Sequence, residues 1–143
     1  MTFLLDVNVL IALIDQSHIN HSPALTWFDT MGHRSWATCP ITENGVVRIV
    51  GSSSYVNSPG TTAAVAELMR EFVSLPGHIF WPDDISLLDS TKLDISNLLT
   101  SAQVTDSYLL ALARAHGGQL ATLDRRLISD AVADGPLHLT LIQ

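Results

Sequence analysis

The amino-acid sequence predicts an α/β protein, a three-layer α/β/α sandwich built on a central parallel β-sheet. Short apolar segments alternate along the chain with longer segments whose apolar residues have helical spacing, the pattern of strands joined by crossover helices. Hydrophobic residues make up 47% of the chain and charged residues 15%, a composition typical of a folded core. The length of 143 residues predicts one domain, residues 1–143.

Five short segments are the predicted strands of this sheet. They are FLL (3–5), SWATC (35–39), HIFWP (78–82), QLATLD (119–124) and LHLTLIQ (137–143). The first is fully apolar, as expected of a buried strand, and the last alternates apolar and polar residues. Parallel strands are connected through helices, which are expected to cover both faces of the sheet.

The segments between the strands predict the helices. They are NVLIALI (8–14), HSPALTWFDTMG (21–32), PITENGVVRIVG (40–51), TTAAVAELMREFVSL (61–75) and TDSYLLALARAHGG (105–118), with short helical turns at 84–89 and 125–133. Gly32 is expected to cap the second helix and Gly117 to end the last long one. Thr61 or Thr62 would cap the fourth helix, and Thr105 the last long one. The predicted buried face of the fourth helix comprises Ala64, Leu68, Phe72 and Leu75.

Charge and cysteine content narrow the classes of function. The chain has 7 Lys and Arg against 14 Asp and Glu, which gives a net charge of −7. We therefore expect no extended basic surface, and the composition argues against a duplex-DNA-binding protein. An acidic surface suits a basic protein partner and leaves open an enzyme that binds phosphate through metal ions.

Cys39 is the only cysteine, so an internal disulfide and a cysteine-based metal site are excluded, and we expect a buried thiol. No uncharged run approaches the roughly 20 residues of a membrane helix, so we expect a soluble cytoplasmic protein without membrane contact.

Four acidic residues are predicted to meet at one edge of the sheet. Asp6 directly follows the first strand, and Asp124 follows QLATL in the fourth. Glu43 and Asp106 fall in the first turns of the helices at 40–51 and 105–118. Ligands of parallel α/β sheets bind outside the carboxyl ends of the strands. We therefore expect four carboxylates at one ligand-binding edge.

Two interpretations of these acids remain open. Each carboxylate alone fits a helix cap or first turn, where the helix dipole stabilises it by about 0.3–1 kcal/mol. As a set, ionised carboxylates in proximity repel one another, and a multivalent cation offsets that repulsion. An oxygen-only ligand set suits Mg²⁺, with Mn²⁺ as a substitute. Asn8, Thr105 and Thr122 are placed to orient ligands or water, although capping or strand burial explains each equally well.

Three segments together carry a family resemblance: LLDVNVLIAL, ITENGVVRI and VTDSYLLALARAHGGQLATLDRRL. In order and spacing they resemble the signature blocks of PIN-domain proteins, most closely of VapC-type ribonuclease toxins from bacterial toxin–antitoxin pairs. The resemblance covers essentially the whole chain. It implies a Mg²⁺-dependent endoribonuclease acting on transfer or ribosomal RNA, with Asp6, Glu43, Asp106 and Asp124 as the metal site. It also implies a homodimer inhibited by a VapB-type antitoxin, with DNA contacted only through the antitoxin.

Two other functions remain open beside this endoribonuclease, in which a metal-activated water attacks an RNA phosphodiester. A PIN-like domain that retains its acids for stability or partner binding would be a non-catalytic binding module. A Mg²⁺-dependent phosphohydrolase of small phosphate esters would need a second aspartate two residues after the first, where this chain has Asn8.

Other polar residues have weaker functional interpretations. His18 and His21 are three apart, and a polar helix start is favoured over a metal pair because no third soft ligand accompanies them. Asp84 is expected to cap a helix. Arg125 and Arg126 directly follow Asp124, so they either steer phosphate or form solvated surface. Core packing is favoured over base stacking for the tryptophans, Trp27, Trp36 and Trp81.

Overall fold

All five predicted strands are present in the computed structural model, which describes residues 1–143. They are β1 (Phe3–Leu5), β2 (Trp36–Thr38), β3 (His78–Phe80), β4 (Gln119–Thr122) and β5 (Leu139–Leu141). The strands form one sheet in the order β3-β2-β1-β4-β5. Every adjacent pair is parallel, which confirms the predicted parallel sheet.

Five α-helices and three short 3₁₀-helices connect the strands. The α-helices are α1 (Val7–Ile14), α2 (His21–Thr30), α3 (Pro40–Val50), α4 (Thr62–Val73) and α5 (Gln103–Ala115). The 3₁₀-helices are Gly32–Arg34, Ile95–Asn97 and Gly135–His138. None of the helices combines the length and the apolar character that crossing a membrane requires.

The central strand β1 supplies side chains to two separate cores, one on each face of the sheet. Phe3 and Leu5 belong to a core with residues of α1, α2, α3 and α4. Leu4 points the other way, into a core formed mainly with α5, because successive strand side chains alternate between faces. Cys39 is fully buried in this second core, as expected. The two cores confirm the three-layer arrangement.

Helix α4 begins where the sequence indicates but buries a partly different face. Thr61 accepts a hydrogen bond of 3.0 Å from the backbone N–H three residues later, which confirms it as the N-cap. Val65 and Met69 are the buried positions, whereas Leu68 and Leu75 are exposed. The predicted face is therefore partly wrong: Phe72 packs against Phe28 and Trp36 of the core, but the most buried positions lie one residue after Ala64 and Leu68, and the helix ends before Leu75.

Helix α5 begins two residues before the predicted position. Gln103 is its first residue, so Thr105 lies inside the helix and is not its cap. The side-chain amide of Gln103 instead accepts a hydrogen bond from Leu99 N–H and donates one to the carbonyl of Asn97, which closes the preceding loop against the helix. The predicted stop is confirmed, since Gly117 follows the helix with φ of +70°, a left-handed conformation that favours glycine.

Gly32 does not cap α2. The helix ends at Thr30, and Gly32 starts the following 3₁₀-helix. A Cβ atom on Gly32 would lie 2.5 Å from the ring of Trp27. This glycine therefore permits close packing against an aromatic ring and does not supply a left-handed backbone.

The predicted helical turns at 84–89 and 125–133 are hydrogen-bonded turns without helix. Asp89 N–H donates to the carbonyl of Ser86 at 3.2 Å, and Leu127 N–H donates to that of Asp124 at 3.3 Å. The carboxylate of Asp124 also accepts from Arg126 N–H at 2.9 Å. Such side-chain bonds satisfy backbone groups locally, and segments this short do not offset the cost of starting a helix.

Candidate active site

Asp6, an acidic residue within the largely apolar segment 3–14, lies at the junction of β1 and α1. Its Oδ1 atom accepts a hydrogen bond of 2.7 Å from Val7 N–H, and Oδ2 accepts one of 2.8 Å from the hydroxyl of Thr122. Asp6 is only 5% exposed. It is therefore both the N-cap of α1 and a fixed carboxylate at the carboxyl edge of the sheet.

Thr122 connects the ends of the adjacent strands β1 and β4. Its hydroxyl donates to Asp6 and accepts bonds of 3.2 Å from the Asn8 amide and 3.1 Å from Asp124 N–H. The Asn8 carbonyl oxygen accepts a bond of 3.1 Å from Leu123 N–H. The sequence left ligand orientation and a local structural role equally open for Asn8 and Thr122, and their hydrogen bonds orient Asp6 and the chain leading to Asp124.

Asp106 completes a group of three interacting aspartates. It lies in the first turn of α5 and is half-buried. Burial raises the pKa of Asp106, the negative charges of Asp6 and Asp124 add to this rise, and the three effects together bring it to about 6. Burial also raises the pKa of Asp6, against the opposing effect of its hydrogen bonds to Thr122 and Val7. The three carboxylates therefore lie close enough to repel one another.

Two cavities open onto these aspartates and share Asp106. The larger, of about 500 Å³, contains Asp6 and Asp106. The smaller, of about 210 Å³, contains Asp106 and Asp124. Asp106 therefore stands at the boundary between two solvent-accessible spaces, with one of the other aspartates on either side.

The structure does not bring Glu43 to this group. The Thr38 hydroxyl donates a hydrogen bond of 2.7 Å to the Glu43 carboxylate and lies 2.7 Å from Nε2 of His78. Because that hydroxyl proton goes to Glu43, Nε2 of His78 is the donor in the second bond. Burial lowers the pKa of His78. Glu43 lines a separate cavity with residues of α3 and α4, among them Val47 and Met69.

The three aspartates suit a hard divalent cation. Their donor atoms are all carboxylate oxygens, the ligands that Mg²⁺ and Mn²⁺ prefer. No three His, Cys, Asp or Glu side chains, these aspartates included, are arranged in the structure so that they could hold one metal ion together, so the aspartates do not form a complete ligand set in this conformation. An ion held here would therefore keep part of its water shell, as Mg²⁺ ordinarily does, and it would relieve the repulsion that raises the pKa of Asp106.

His18, His21 and Asp84 each form a structural hydrogen bond. His18 accepts a hydrogen bond from Asn20 N–H, whereas His21 bonds to the Ala12 carbonyl of α1, so the two rings do not share a ligand. Asp84 caps no helix. Its carboxylate lies 3.0 Å from Nε2 of His116. The favoured core interpretation of the tryptophans is confirmed by burial of Trp27, Trp36 and Trp81.

Three residues of the larger cavity carried no functional assignment in the sequence. Asn44 and Arg48 of α3 line it together with Asp83, whose Oδ1 atom is buried without a hydrogen-bond partner. Asn44 and Arg48 are four residues apart and so share a helix face. The four-residue spacing was the only sign in the sequence that Asn44 and Arg48 act together. It points to the cavity only once the face of α3 that lies toward Asp6 is known.

The fold and the acidic site define a known class of protein. The family model of the PIN domain matches residues 3–132, and the chain belongs to the PIN-domain family. Its relatives include ribonuclease VapC44 of Mycobacterium tuberculosis strain H37Rv, 43% identical over 92% of both chains. Ribonuclease VapC39 of the same strain is 43% identical over 93% of this chain and 96% of its own. Within the family, the chain therefore groups with the VapC ribonucleases.

Two solved structures share the fold. The VapBC2 complex of Rickettsia felis bound to a promoter DNA fragment has a TM-score of 0.58 and 12% identity, covering 88% of this chain and 90% of that chain. FitAB bound to an IR36 DNA fragment has a TM-score of 0.64 and 16% identity, covering 97% and 94%. These similarities confirm the α/β/α arrangement.

Proposed function

We propose that this chain is the toxin of a type II toxin–antitoxin pair and an endoribonuclease that depends on a divalent cation. The observation that carries the proposal is the convergence of Asp6 and Asp106 on one cavity, with Asp124 on the other side of Asp106. The 43% identity to ribonuclease VapC44 supports RNA as the substrate. Transfer RNA and ribosomal RNA are the substrate classes we propose.

The chain's own residues hold and orient the reacting groups. Asp6, Asp106 and Asp124 would bind Mg²⁺, or Mn²⁺ in its place, and the bound cation would supply Lewis-acid activation at the phosphodiester. Thr122 fixes one oxygen of Asp6 through its hydroxyl, and Val7 N–H fixes the other. Because the pKa of Asp106 is about 6, this carboxyl would have to release its proton to bind a cation at mildly acidic pH, and affinity would rise with pH.

The partners we propose follow from the charge and from the relatives. A VapB-type antitoxin would cover the site with a basic segment, which suits a net charge of −7. A homodimer in the cytoplasm is the proposed assembly, with DNA contacted only through the antitoxin. The Rickettsia felis relative is itself a VapBC complex on promoter DNA.

The test compares the wild type, Asp106→Asn and Asp29→Asn on total RNA with Mg²⁺, with Mn²⁺ and with EDTA. Asp29 is an exposed acid of α2 that lines neither cavity of the site. Asp29→Asn removes the same negative charge as Asp106→Asn and is therefore the matched control. We expect metal-dependent fragments from the wild type and Asp29→Asn, and none from Asp106→Asn. Cleavage that survives EDTA, or that survives in Asp106→Asn, would overturn the proposal.

Two further measurements on the same proteins, partner binding and phosphate release from a generic ester, separate the two remaining functions. A folded wild type that binds its partner but cleaves no RNA would indicate a non-catalytic binding module. Release of phosphate from a generic ester without RNA cleavage would indicate a phosphohydrolase. The structure gives the latter no support, since Asn8 is held by Thr122 and Leu123 where a second aspartate would be required.

A further inference from the structure

The two cavities beside Asp106 each contain one arginine. Arg48 of α3 lines the larger cavity with Asp6 and Asp106. Arg126 lines the smaller cavity with Asp106 and Asp124. The acidic centre is therefore flanked on two sides by a guanidinium group.

Neither arginine is paired with an acid. The ion pairs of the chain are Arg70 with Glu67 and His116 with Asp84, so Arg48 and Arg126 have no carboxylate within 4.0 Å. Both are exposed. Unpaired cations beside a group of carboxylates are available to a ligand that carries negative charge of its own.

The backbone of Arg126 is fixed by the site itself. Its N–H donates a hydrogen bond of 2.9 Å to the carboxylate of Asp124, so the side chain starts from a defined position. Arg48 lies in the last turn of α3, whose Gly45 packs against Val7 beside Asp6. Both arginines are therefore anchored close to the aspartates through structural contacts.

A protein with a net charge of −7 repels a polyanion unless cations lie along the path of the strand. Guanidinium groups bind phosphate with two parallel hydrogen bonds. The two cavities meet at Asp106, so one strand that passes over this residue would reach both arginines.

We propose that Arg48 and Arg126 bind phosphates on opposite sides of the scissile one, in a single RNA strand that passes over Asp106 from one cavity to the other. This inference rests on the proposed ribonuclease function. It assigns the two arginines to strand binding and leaves the cation to the aspartates.

The experiment measures binding of a fluorescein-labelled, mixed-sequence single-stranded RNA of about 12 nucleotides at several salt concentrations, in the Asp106→Asn background so that the RNA stays intact. We expect Arg48→Ala and Arg126→Ala each to raise Kd roughly five- to tenfold and to reduce the salt slope by about 0.7. Lysine at either position should restore the slope, because it retains the charge.

Arg34 and Arg125 provide matched controls. Arg34 precedes β2 at the amino edge of the sheet and lines a different cavity, and Arg125 adjoins Arg126 but lines neither cavity of the site. Their alanine variants should bind like the background protein. Equal effects of all four variants would indicate a general charge effect and overturn the inference.

The readouts also distinguish failure of the inference from failure of the function. If the wild type cleaves RNA with metal and Arg48→Ala and Arg126→Ala bind RNA normally, the inference is wrong and the function stands. If no variant binds and the wild type does not cleave, both are wrong. Thermal unfolding of each variant confirms that the fold is retained.

Discussion

The hydroxyl of Thr122 donates a hydrogen bond of 2.8 Å to the carboxylate of Asp6, across 116 positions of sequence. The bond joins the ends of the adjacent strands β1 and β4. It gives a nearly buried carboxylate a partner, which an acid in an apolar segment requires. The same hydroxyl receives hydrogen bonds from Asn8 and Asp124 N–H, so this one atom fixes the position of the candidate site.

Thr122→Val should lower the free energy of unfolding by about 1–3 kcal/mol, since it leaves buried polar groups without partners at nearly constant volume. Activity should fall as well, because Asp6 loses its orientation. Thr122→Ser retains the hydroxyl and is the control. Urea denaturation of both variants tests this, and equal stability of Thr122→Val and wild type would contradict it.

Asp106 should make the cation-free protein less stable as the pH rises from about 4 to about 6. Its ordinary pKa is 3.8 and its folded value is about 6, so in this window the folded state holds a proton that the unfolded state has released. Stability is therefore lost as the pH rises. Urea denaturation in EDTA should show Asp106→Asn gaining on the wild type across the window. A difference independent of pH would refute the assigned shift.

Glu43→Gln should leave divalent-cation affinity nearly unchanged, whereas Asp106→Asn should lower it by about tenfold or more. The reason is the hydrogen bond of Glu43 to Thr38 in a separate cavity. Isothermal titration with Mn²⁺ measures both variants. An equal loss in the two would mean that Glu43 joins the aspartates when a cation binds, as its position in the sequence had suggested.

Gly45→Ala should destabilise the wild type but stabilise a Val7→Ala background. A Cβ atom on Gly45 would lie 2.9 Å from a methyl group of Val7, and such overpacking costs about 1–3 kcal/mol. With that methyl removed, the helix preference for alanine over glycine, about 1 kcal/mol, is left. A double-mutant cycle by chemical denaturation measures the coupling. Additive effects would show that the contact is relieved at no cost.

The strands and three of the four acids could be predicted because their signals are local. A strand ends where its apolar run ends, and the parallel arrangement brings all carboxyl ends to one edge. Asp6 and Asp124 follow strand ends, and Asp106 lies in the first turn of a helix whose buried face is unambiguous. These placements need no knowledge of distant contacts.

The sequence placed Glu43 with the other acids and gave Arg48 no role, and neither position could be settled locally because the direction of each side chain depends on how α3 packs. Successive helix residues point about 100° apart, so being in the first turn does not decide which side a carboxylate faces. In the structure Asn44 and Arg48 face Asp6, while Glu43 turns toward Thr38. That choice depends on the close approach of Gly45 to Val7, which no local pattern reveals.

The two turns mistaken for helices have a similar cause. Their backbone groups are satisfied by side chains such as Asp124 and by isolated turn bonds. Asp84 bonds to His116, which lies 32 positions away, and so was not available as a cap. Competition between local capping and distant partners decides these segments.

The sheet order β3-β2-β1-β4-β5 also has a consequence for synthesis on the ribosome. The first strand made is central, yet its neighbour β4 emerges only after more than a hundred further residues, at about 5–20 residues per second. Until Thr122 and Asp124 leave the exit tunnel, a nascent chain contains Asp6 without the hydroxyl donor of Thr122 and cannot assemble the acidic site. The ribosome that translates the chain is therefore not exposed to an assembled acidic site for most of elongation.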